Sequence, residues 1–444
     1  MKEIFLRKSS SFKYIKNMVF KIKSIKFEDE GKKIVYDYEY DVGIAKYFNK
    51  SESFFVAYDV DVSDTPLSIA IIPFLSNLVT IAWFVDFIIE IDEIDETFLH
   101  AIEIIKKEFK SAYPKLELNK DFIVYKNKIK NSYKTQSSAM LFSGGVDAYA
   151  TYFRNFKKKL DLITIHGADV EINDTDQWNR IITLNSKEKI LNHNEKHYIK
   201  SNLRAFYTYN VDMLLPNLGW WGSVQHGLAL NGVVAPLAQK KGYENIFIAS
   251  SYTDNIKITW GSTPEIDNNI SWASTRVIHD GYELKRQDKL SFIVNFLKNN
   301  ELEVKLRVCY SLLNKNVNCS KCEKCHRTIL GIIVANANPN NYGFSVTEKI
   351  YDEVLEKYKN GFNSEGVNYF WWEILQIIKN EDLFFVFRDL ESEKMKMNEI
   401  KKMIHCNLEK KVKKKTYFEK IKFKIQNKLP RLFKIYLKIR QKGL

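Results

Sequence analysis

The stretch from residue 139 to residue 147 constrains the fold most, because an apolar run ends there in a turn of small residues. The run reads Ala-Met-Leu-Phe over 139–142, and Ser-Gly-Gly-Val-Asp follows over 143–147. A short apolar run bounded by glycines is typical of a buried strand, and an acidic residue just after the turn is typical of a first helical turn. The pattern therefore predicts a strand that ends at Phe142 and a helix that begins near Asp147.

A strand-to-helix turn of this kind can bind an anion. Backbone N–H groups point out of a helix N-terminus, where the macrodipole favours negative charge. Gly144 and Gly145 let the backbone approach the anion without a Cβ in the way, and Ser143 adds a hydroxyl donor. Asp147 is suited to Mg²⁺ on a nucleotide. The turn lacks the lysine of the G-x-x-x-x-G-K-[ST] phosphate loop, and the alternative is a structural Gly-Gly turn.

Four of the five cysteines lie close together in the sequence, at Cys309, Cys319, Cys322 and Cys325. Their C-x9-C-x2-C-x2-C spacing can place four thiolates around one tetrahedral cation, and zinc is the ion that suits such a closed site. A [4Fe–4S] cluster also binds four thiolates and is the alternative. A disulfide framework is disfavoured, because a chain of 444 residues can build a large core. We expect Cys406 to be unpaired.

The two motifs together resemble one protein family. Residues 143–148 resemble the PP-loop, S-G-G-x-D-[ST], of enzymes that cleave ATP between its α and β phosphates, although Ala148 replaces the usual hydroxyl residue. The string Asn-Cys-Ser-Lys-Cys-Glu-Lys-Cys-His-Arg-Thr at 318–328 resembles the zinc loop of the 7-cyano-7-deazaguanine synthases and their paralogues. The motifs lie about 165 residues apart, and the resemblance covers roughly residues 136–340.

This resemblance implies a doubly wound, mostly parallel α/β fold of the adenine-nucleotide α-hydrolase type, with ATP, Mg²⁺ and Zn²⁺ as ligands. It implies adenylation of an acid like 7-carboxy-7-deazaguanine and attack by a nitrogen nucleophile such as ammonia. The partners would be that small-molecule acid and a nitrogen donor. Two alternatives remain. One is a PP-loop enzyme that transfers sulfur and holds an iron–sulfur cluster. The other is a non-catalytic nucleotide-binding protein, which is favoured by the missing hydroxyl at Ala148.

Strand and helix patterns alternate from residue 136 onward. Strands are predicted at 139–142, 160–166, 203–209, 245–249 and 304–308, and helices at 149–158, 187–200, 227–241 and 284–298. This rhythm indicates a mostly parallel sheet with helices on both faces, whose ligands bind beyond the carboxyl ends of the strands. The loops at those ends are 143–147, 166–169, 209–212 and 250–254, although each Asp there could instead cap a helix.

From these loops we predict an ATP site. His166, at the end of the second predicted strand, could approach the ATP base or ribose. The predicted ATP-binding residues are Phe142, Ser143, Gly144, Gly145, Val146, Asp147 and His166.

A long segment without a clear pattern, residues 260–289, is a candidate substrate loop. Arg276, Arg286 and Lys289 could neutralise a carboxylate or a pyrophosphate, and either His279 or Asp280 could act as a base. Trp260 and Trp272 offer flat faces for a heterocycle. The alternative is a covering loop whose charges are solvated. The predicted catalytic residues are Ser143, Asp147, Arg286 and Lys289.

The remaining regions lack such motifs. We predict an N-terminal α+β domain over 1–135, the ATP-binding domain over 136–340, a helical extension over 341–392 and a basic amphipathic tail over 393–444. The stretch 65–85 has no charge, but its two prolines favour a buried helix at 74–84 over a membrane span.

The tail carries the whole excess charge of the chain. The net charge is +14, and residues 394–444 hold 18 Lys and Arg against 3 Glu, so the rest is nearly neutral. An apolar stripe opposite the lysines suits an anionic membrane surface or packing on the same chain. The residues before this tail are nearly neutral in sum, which gives no strong indication of nucleic-acid binding. We expect a cytoplasmic protein, with peripheral contact at the inner face of a membrane and oligomerisation as open options.

Overall fold

The computed structural model describes residues 18–114, 122–215, 219–256, 258–309, 317–358, 365–378 and 385–402. The strands among these residues form one sheet of eleven. In chain order they are β1 (Val19–Glu28), β2 (Lys33–Tyr40), β3 (Phe55–Ala57), β4 (Ile88–Asp95), β5 (Ile123–Ile129), β6 (Ser137–Leu141), β7 (Asp161–His166), β8 (Lys196–Ser201), β9 (Tyr243–Ala249), β10 (Ser271–Trp272) and β11 (Thr275–Asp280).

The sheet is mostly parallel. Its order is β10-β11-β9-β6-β7-β8-β3-β2-β1-β4-β5. The neighbours from β11 to β8 are all parallel, as are β1 with β4 and β4 with β5. The antiparallel pairings are β10 with β11, β8 with β3, β3 with β2 and β2 with β1. The predicted α/β class and mostly parallel sheet are confirmed.

The central strands bury both of their faces. In β6, Ala139 and Met140 are both fully buried and belong to different apolar clusters. The same alternation recurs in β7, where Leu162 and Ile163 contact opposite clusters. Successive side chains of a strand point to opposite faces, so the two clusters are the two helical layers of a three-layer fold.

Short and long helices connect the strands. The α-helices are α1 (Leu67–Ala70), α2 (Ile72–Val85), α3 (Glu96–Ala112), α4 (Val146–Arg154), α5 (Thr175–Lys187), α6 (Tyr209–Asp212), α7 (His226–Gly232), α8 (Ala235–Lys241), α9 (Pro264–Asp267), α10 (Arg286–Asn299), α11 (Glu323–Val334), α12 (Ile350–Tyr358), α13 (Glu365–Ile378) and α14 (Leu390–Lys402). A π-helix spans Trp221–Gln225, and 3₁₀ turns span Val42–Tyr47, Phe156–Lys158, Lys189–Leu191 and Pro339–Tyr342.

The N-terminal region continues the sheet of the central region. The link is β3, whose Val56 and Ala57 pair with Ser201 and Lys200 of β8. Helix α2 is buried from Ile72 to Trp83 and packs against α7. Among the described helices, none combines the length and the apolar character that crossing a bilayer requires. The domain boundaries stay a prediction, and most of the tail, with Cys406, lies outside the described residues.

Three local predictions were wrong. Residues 196–201 form β8 instead of a helix, because His197, Ile199 and Ser201 are buried and alternate with less buried neighbours. The predicted strand at 203–209 is a turn that follows β8 and leads into α6. The predicted strand at 304–308 pairs with no other strand. The parallel strand beside β9 is instead β11, which lies inside the segment predicted to be irregular.

Candidate functional site

The Ser-Gly-Gly turn lies between β6 and α4. Gly144 has a φ of +72°, a left-handed conformation that a side chain would strain, whereas the φ of Gly145 is −84°. The Ser143 hydroxyl accepts a hydrogen bond from the backbone N–H of Gly145 over 3.3 Å. Asp147 lies in the first turn of α4. The strand-to-helix turn predicted from the sequence is therefore present, and glycine is required at position 144.

Arg307 holds this turn from the opposite side. Its Nε donates to the carbonyl of Ser143 over 2.7 Å, and its backbone N–H donates to the carbonyl of Gly144 over 2.7 Å. Arg307 precedes Cys309 by two residues. The turn and the cysteine cluster are therefore connected through one short segment of chain.

A cavity of about 690 Å³ opens beside the turn. It is lined by the carboxyl ends of β6, β7 and β9, by the start of α4, and by side chains of α10, α11 and α13. Ligand pockets typically measure about 300–1,000 Å³, and in open α/β sheets they lie beyond the carboxyl ends of the strands. The cavity therefore has the size and the position of a small-molecule site.

Asp147 forms an ion-pair cluster with two cations of α10. Its Oδ2 lies 2.7 Å from Arg286 Nη1, and its Oδ1 lies 3.5 Å from Lys289 Nζ. Burial would raise the pKa of Asp147, but the charges of Arg286 and Lys289 outweigh it and hold that pKa below its usual range. Lys289 Nζ also donates to the carbonyl of Ser250 over 2.5 Å, and burial lowers its pKa. The carboxylate is therefore ionised and both cations are fixed beside the turn.

Helix α11 brings a lysine and an arginine to the cavity. Lys324 and Arg327 both line it, together with Glu323. Arg327 Nε lies 2.9 Å from Glu323 Oε1, and its guanidinium lies 4.4 Å from the ring centre of Phe370. Burial, helped by the charge of Arg286, lowers the pKa of Lys324 to about 7. Anionic groups of a ligand would therefore meet positive charge from both α10 and α11.

Aromatic rings form another part of the cavity wall. Trp178, Trp221, Tyr252, Trp260 and Phe370 line it. The Arg204 guanidinium lies 4.7 Å from the Trp221 ring centre and holds that side chain. The Nδ1 atom of His226, also at the wall, is buried and has no hydrogen-bond partner among the described residues. Flat apolar faces of this kind suit a planar heterocycle.

The four predicted cysteines come together at one side of the cavity, where Cys309 lines the wall. The Sγ distances are 3.9 Å between Cys309 and Cys322, 3.8 Å between Cys319 and Cys325, and 3.5 Å between Cys322 and Cys325. Four thiolates bound to one zinc at about 2.3 Å would lie about 3.8 Å apart in a regular tetrahedron. All four cysteines are free of disulfides. The cluster could therefore hold a metal ion such as zinc, as predicted.

These spacings also bear on the iron–sulfur alternative. In a [4Fe–4S] cluster each thiolate binds a different iron, so the sulfurs stand farther apart than around a single ion. The observed Sγ separations of 3.5–3.9 Å suit a single ion.

The predicted ATP-binding residues do not all reach the cavity. Phe142, Ser143, Gly145, Val146 and Asp147 line it, and Gly144 shapes the turn. His166 is buried behind the wall, where its ring stacks on Trp178 at 4.6 Å between centres and Nε2 lies 3.2 Å from the carbonyl of Glu171. Trp178, instead of His166, faces the ligand space.

The 260–289 segment contributes three of its candidate residues to the site: Trp260, Arg286 and, through Asp147, Lys289. Trp272 is fully buried in the core. His279 pairs with Asp267 at 2.7 Å, and Asp280 accepts bonds from Thr151 and Arg154. The side chain of Arg276 is 66% exposed. The two predicted bases are therefore engaged outside the cavity.

Sequence reasoning missed Lys324, Arg327, Arg204 and Trp221 as lining residues. A signal existed for the first two, because they flank Cys325 at the start of a helix and must lie close to the metal loop. Arg204 and Trp221 follow β8, which was not recognised as a strand, so their position at the carboxyl end of the sheet was hidden.

Comparison with protein-family models, with curated proteins and with solved structures finds no match for the chain.

Proposed function

We propose that the protein is an ATP-dependent, AMP-forming ligase that activates the carboxylate of a small acid for attack by a nitrogen nucleophile. One observation carries this proposal: a left-handed glycine turn at the N-terminus of α4 opens onto a cavity whose wall holds Arg286, Lys324 and Arg327. Backbone N–H groups at a helix N-terminus and several fixed cations are what a polyphosphate requires.

In this proposal the β and γ phosphates of ATP lie on residues 143–145. Arg286 and Lys289 neutralise the pyrophosphate as it leaves, and Asp147 keeps both cations in place between turnovers. The carboxylate of Asp147 retains free lone pairs beyond these two contacts, so it can also accept a Mg²⁺ ion carried by the nucleotide. That ion would neutralise phosphate charge. Ala148 supplies no hydroxyl, so the backbone and the cations do more of the binding.

The proposed reaction has two steps. A carboxylate oxygen attacks the α phosphorus of ATP, the bond from that phosphorus to the bridging oxygen breaks, and pyrophosphate leaves. Ammonia or another amine then attacks the carbonyl carbon, AMP leaves, and the nitrogen loses a proton to give an amide. The protein contributes positioning and charge stabilisation, which suits a cavity lined by several cationic side chains.

The acid would occupy the aromatic part of the cavity. Trp221 and Trp260 offer faces for a planar ring system. This arrangement supports a heterocyclic acid like 7-carboxy-7-deazaguanine, the substrate that the resemblance to 7-cyano-7-deazaguanine synthases implies. Zinc bound to the four cysteines would hold α11 and Arg307 against the turn, with no open position for chemistry.

The products formed from ATP test this function. Full-length protein with its metal is incubated with ATP, Mg²⁺ and ammonium. One sample also contains 7-carboxy-7-deazaguanine, and a second sample lacks it. We expect acid-dependent AMP and pyrophosphate, loss of both in Arg286→Met, and little change in Lys298→Met, an exposed lysine on the same helix. ADP and phosphate as products would contradict the proposal.

A second candidate is a nucleotide-binding protein without turnover. Ala148 favours it, as does the fact that both oxygens of Asp147 already contact cations. ATP binding to the same cavity with no cleavage, in the presence of acid and ammonium, would support this candidate over the ligase.

A further inference from the structure

A second cluster of metal-ligand side chains lies at the other end of the strands. Asp161 is the first residue of β7, His197 lies near the start of β8, and Glu195 directly precedes β8. The Ser-Gly-Gly turn follows the carboxyl end of β6, so the length of a strand, roughly 15 Å, separates the two places. Nothing in the proposed ATP chemistry uses these three side chains.

His197 is oriented as a metal ligand. Its side chain is only 2% exposed, and its Nδ1 lies 3.1 Å and 3.2 Å from the two carboxylate oxygens of Asp59. A carboxylate accepts the Nδ1 proton, which leaves the lone pair of the imidazole on Nε2. That Nε2 atom is buried and has no hydrogen-bond partner among the described residues. The histidine therefore places a buried Nε2 atom, unpaired among the described residues, beside the acidic pair.

The three ligand atoms have suitable spacing. The ligand atoms of Asp161, Glu195 and His197 all lie within 4.8 Å of one another. Nε2 of His197 lies 3.3 Å from Glu195 Oε1, and two ligands bound tetrahedrally at about 2.0–2.1 Å would lie about 3.3 Å apart. Tyr243 donates to Asp161 Oδ2 over 2.8 Å and fixes that carboxylate.

The ligand set selects the kind of ion. One imidazole and two carboxylates suit Zn²⁺ and its transition-metal neighbours, whereas Mg²⁺ prefers oxygen ligands in an octahedron. The Glu195 side chain is 52% exposed, so water can complete the coordination from the solvent side. Glu195 Oε1 also lies 2.5 Å from Lys241 Nζ, which must give way when the ion binds.

We infer that Asp161, Glu195 and His197 form a second divalent transition-metal site, with Zn²⁺ as the preferred ion. Asp59 positions the histidine from behind. The bound ion ties β7 to β8 at the amino ends of these strands. The competing interpretation is an imidazolium between the carboxylates of Asp59 and Glu195, which would have no affinity for metal.

Titration with Co²⁺ separates these interpretations. Full-length protein is first given one equivalent of Zn²⁺, which the four thiolates bind most tightly, and Co²⁺ is then added as the probe. We expect one further equivalent, with visible d–d absorption and without the thiolate charge-transfer band that a cysteine site would give. Zn²⁺ should displace this Co²⁺, whereas an excess of Mg²⁺ should not.

Substitutions locate the bound ion. Glu195→Gln and Asp161→Asn, both on solvent-accessible side chains, should each weaken Co²⁺ binding at least tenfold, and Asp59→Asn should weaken it about tenfold by releasing the imidazole. Glu244→Gln is the matched control, because its side chain is 55% exposed on β9, which β6 separates from β7, and this variant should bind Co²⁺ normally. His197→Gln should abolish binding, and circular dichroism checks that each variant is folded.

Two outcomes would overturn the inference. One is the absence of any Co²⁺ binding beyond the cysteine site. The other is Co²⁺ binding that Glu195→Gln and Asp161→Asn leave unchanged, which would place the ion elsewhere. Neither outcome depends on ATP turnover, so failure of this site and failure of the ligase proposal are distinguishable.

Discussion

The ion-pair cluster of Asp147 gives a prediction that can be worked through from the structure. Asp147→Asn keeps the size of the side chain but removes the negative charge between Arg286 and Lys289. The side chain of Asp147 is 21% exposed, that of Arg286 10% and that of Lys289 2%, so water can compensate little of the lost charge–charge attraction. Two neighbouring cations would then remain close to each other without their shared anion.

The size of the effect follows from that burial. Removing one partner of a buried ion pair typically costs about 3–5 kcal/mol. The Asp147 side chain is about one-fifth exposed, so we expect the lower end, about 3 kcal/mol. For a chain of this size, an unfolding entropy of about 2 cal/mol/K per residue converts 3 kcal/mol into a fall in Tm of roughly 3–4 °C.

The pH dependence of this loss has a defined sign. The pKa of Asp147 is lowered in the folded protein, so its contribution is complete above the unfolded pKa and is lost as the pH falls through the folded value. The Tm difference between wild type and Asp147→Asn should therefore shrink at acid pH. It should also shrink at alkaline pH, because Lys289, whose pKa burial lowers, can lose its proton and relieve the repulsion.

Differential scanning calorimetry of four proteins tests the reasoning. Asp147→Asn should lower Tm, and Asp147→Asn combined with Lys289→Met should recover most of that loss by removing one of the two cations. Asp169→Asn is the matched control, because this carboxylate is exposed at the cavity wall and should leave Tm unchanged. An unchanged Tm in Asp147→Asn, or a double variant less stable than the single one, would refute the ion-pair account.

Three further predictions concern the turn and its supports. Gly144→Ala should lower stability by about 1–2 kcal/mol because of its positive φ, whereas Gly145→Ala should not, and thermal unfolding compares the two. Chelation should remove the cysteine-bound zinc and weaken ATP binding, measured by calorimetry, because the cysteine segment holds the turn through Arg307. Cys319→Ser should behave likewise, and Cys406→Ser should not. Lys324→Met should weaken ATP binding several-fold without changing the metal content, which elemental analysis would check.

The sequence predicted the parts of the site that are local. The turn at 143–147 and the cysteine cluster each depend on a few adjacent residues, so their pattern was visible without knowledge of the fold. The pairing of Asp147 with Arg286 and Lys289 was not predictable from either segment. It depends on the packing of α10 against α4, two helices more than 130 residues apart in the chain.

The error at β8 came from a sequence pattern that a helix and a strand can both show. The two lysines of β8 lie four residues apart, a spacing that also suits one face of a helix, so only burial of His197 and Ile199 distinguishes the strand. The attachment of the N-terminal strands depends on two residue pairs between β3 and β8. No local pattern reports such a short, distant pairing.

The central claim is that a carboxylate attacks the α phosphorus of ATP in this cavity, and an oxygen label tests it most directly. The acid is prepared with ¹⁸O in both carboxylate oxygens, and the AMP formed in the presence of ammonium is weighed by mass spectrometry. The account predicts AMP that carries one ¹⁸O atom, because the oxygen that attacked the phosphorus leaves with it. Unlabelled AMP, or labelled phosphate with ADP, would contradict the adenylate mechanism.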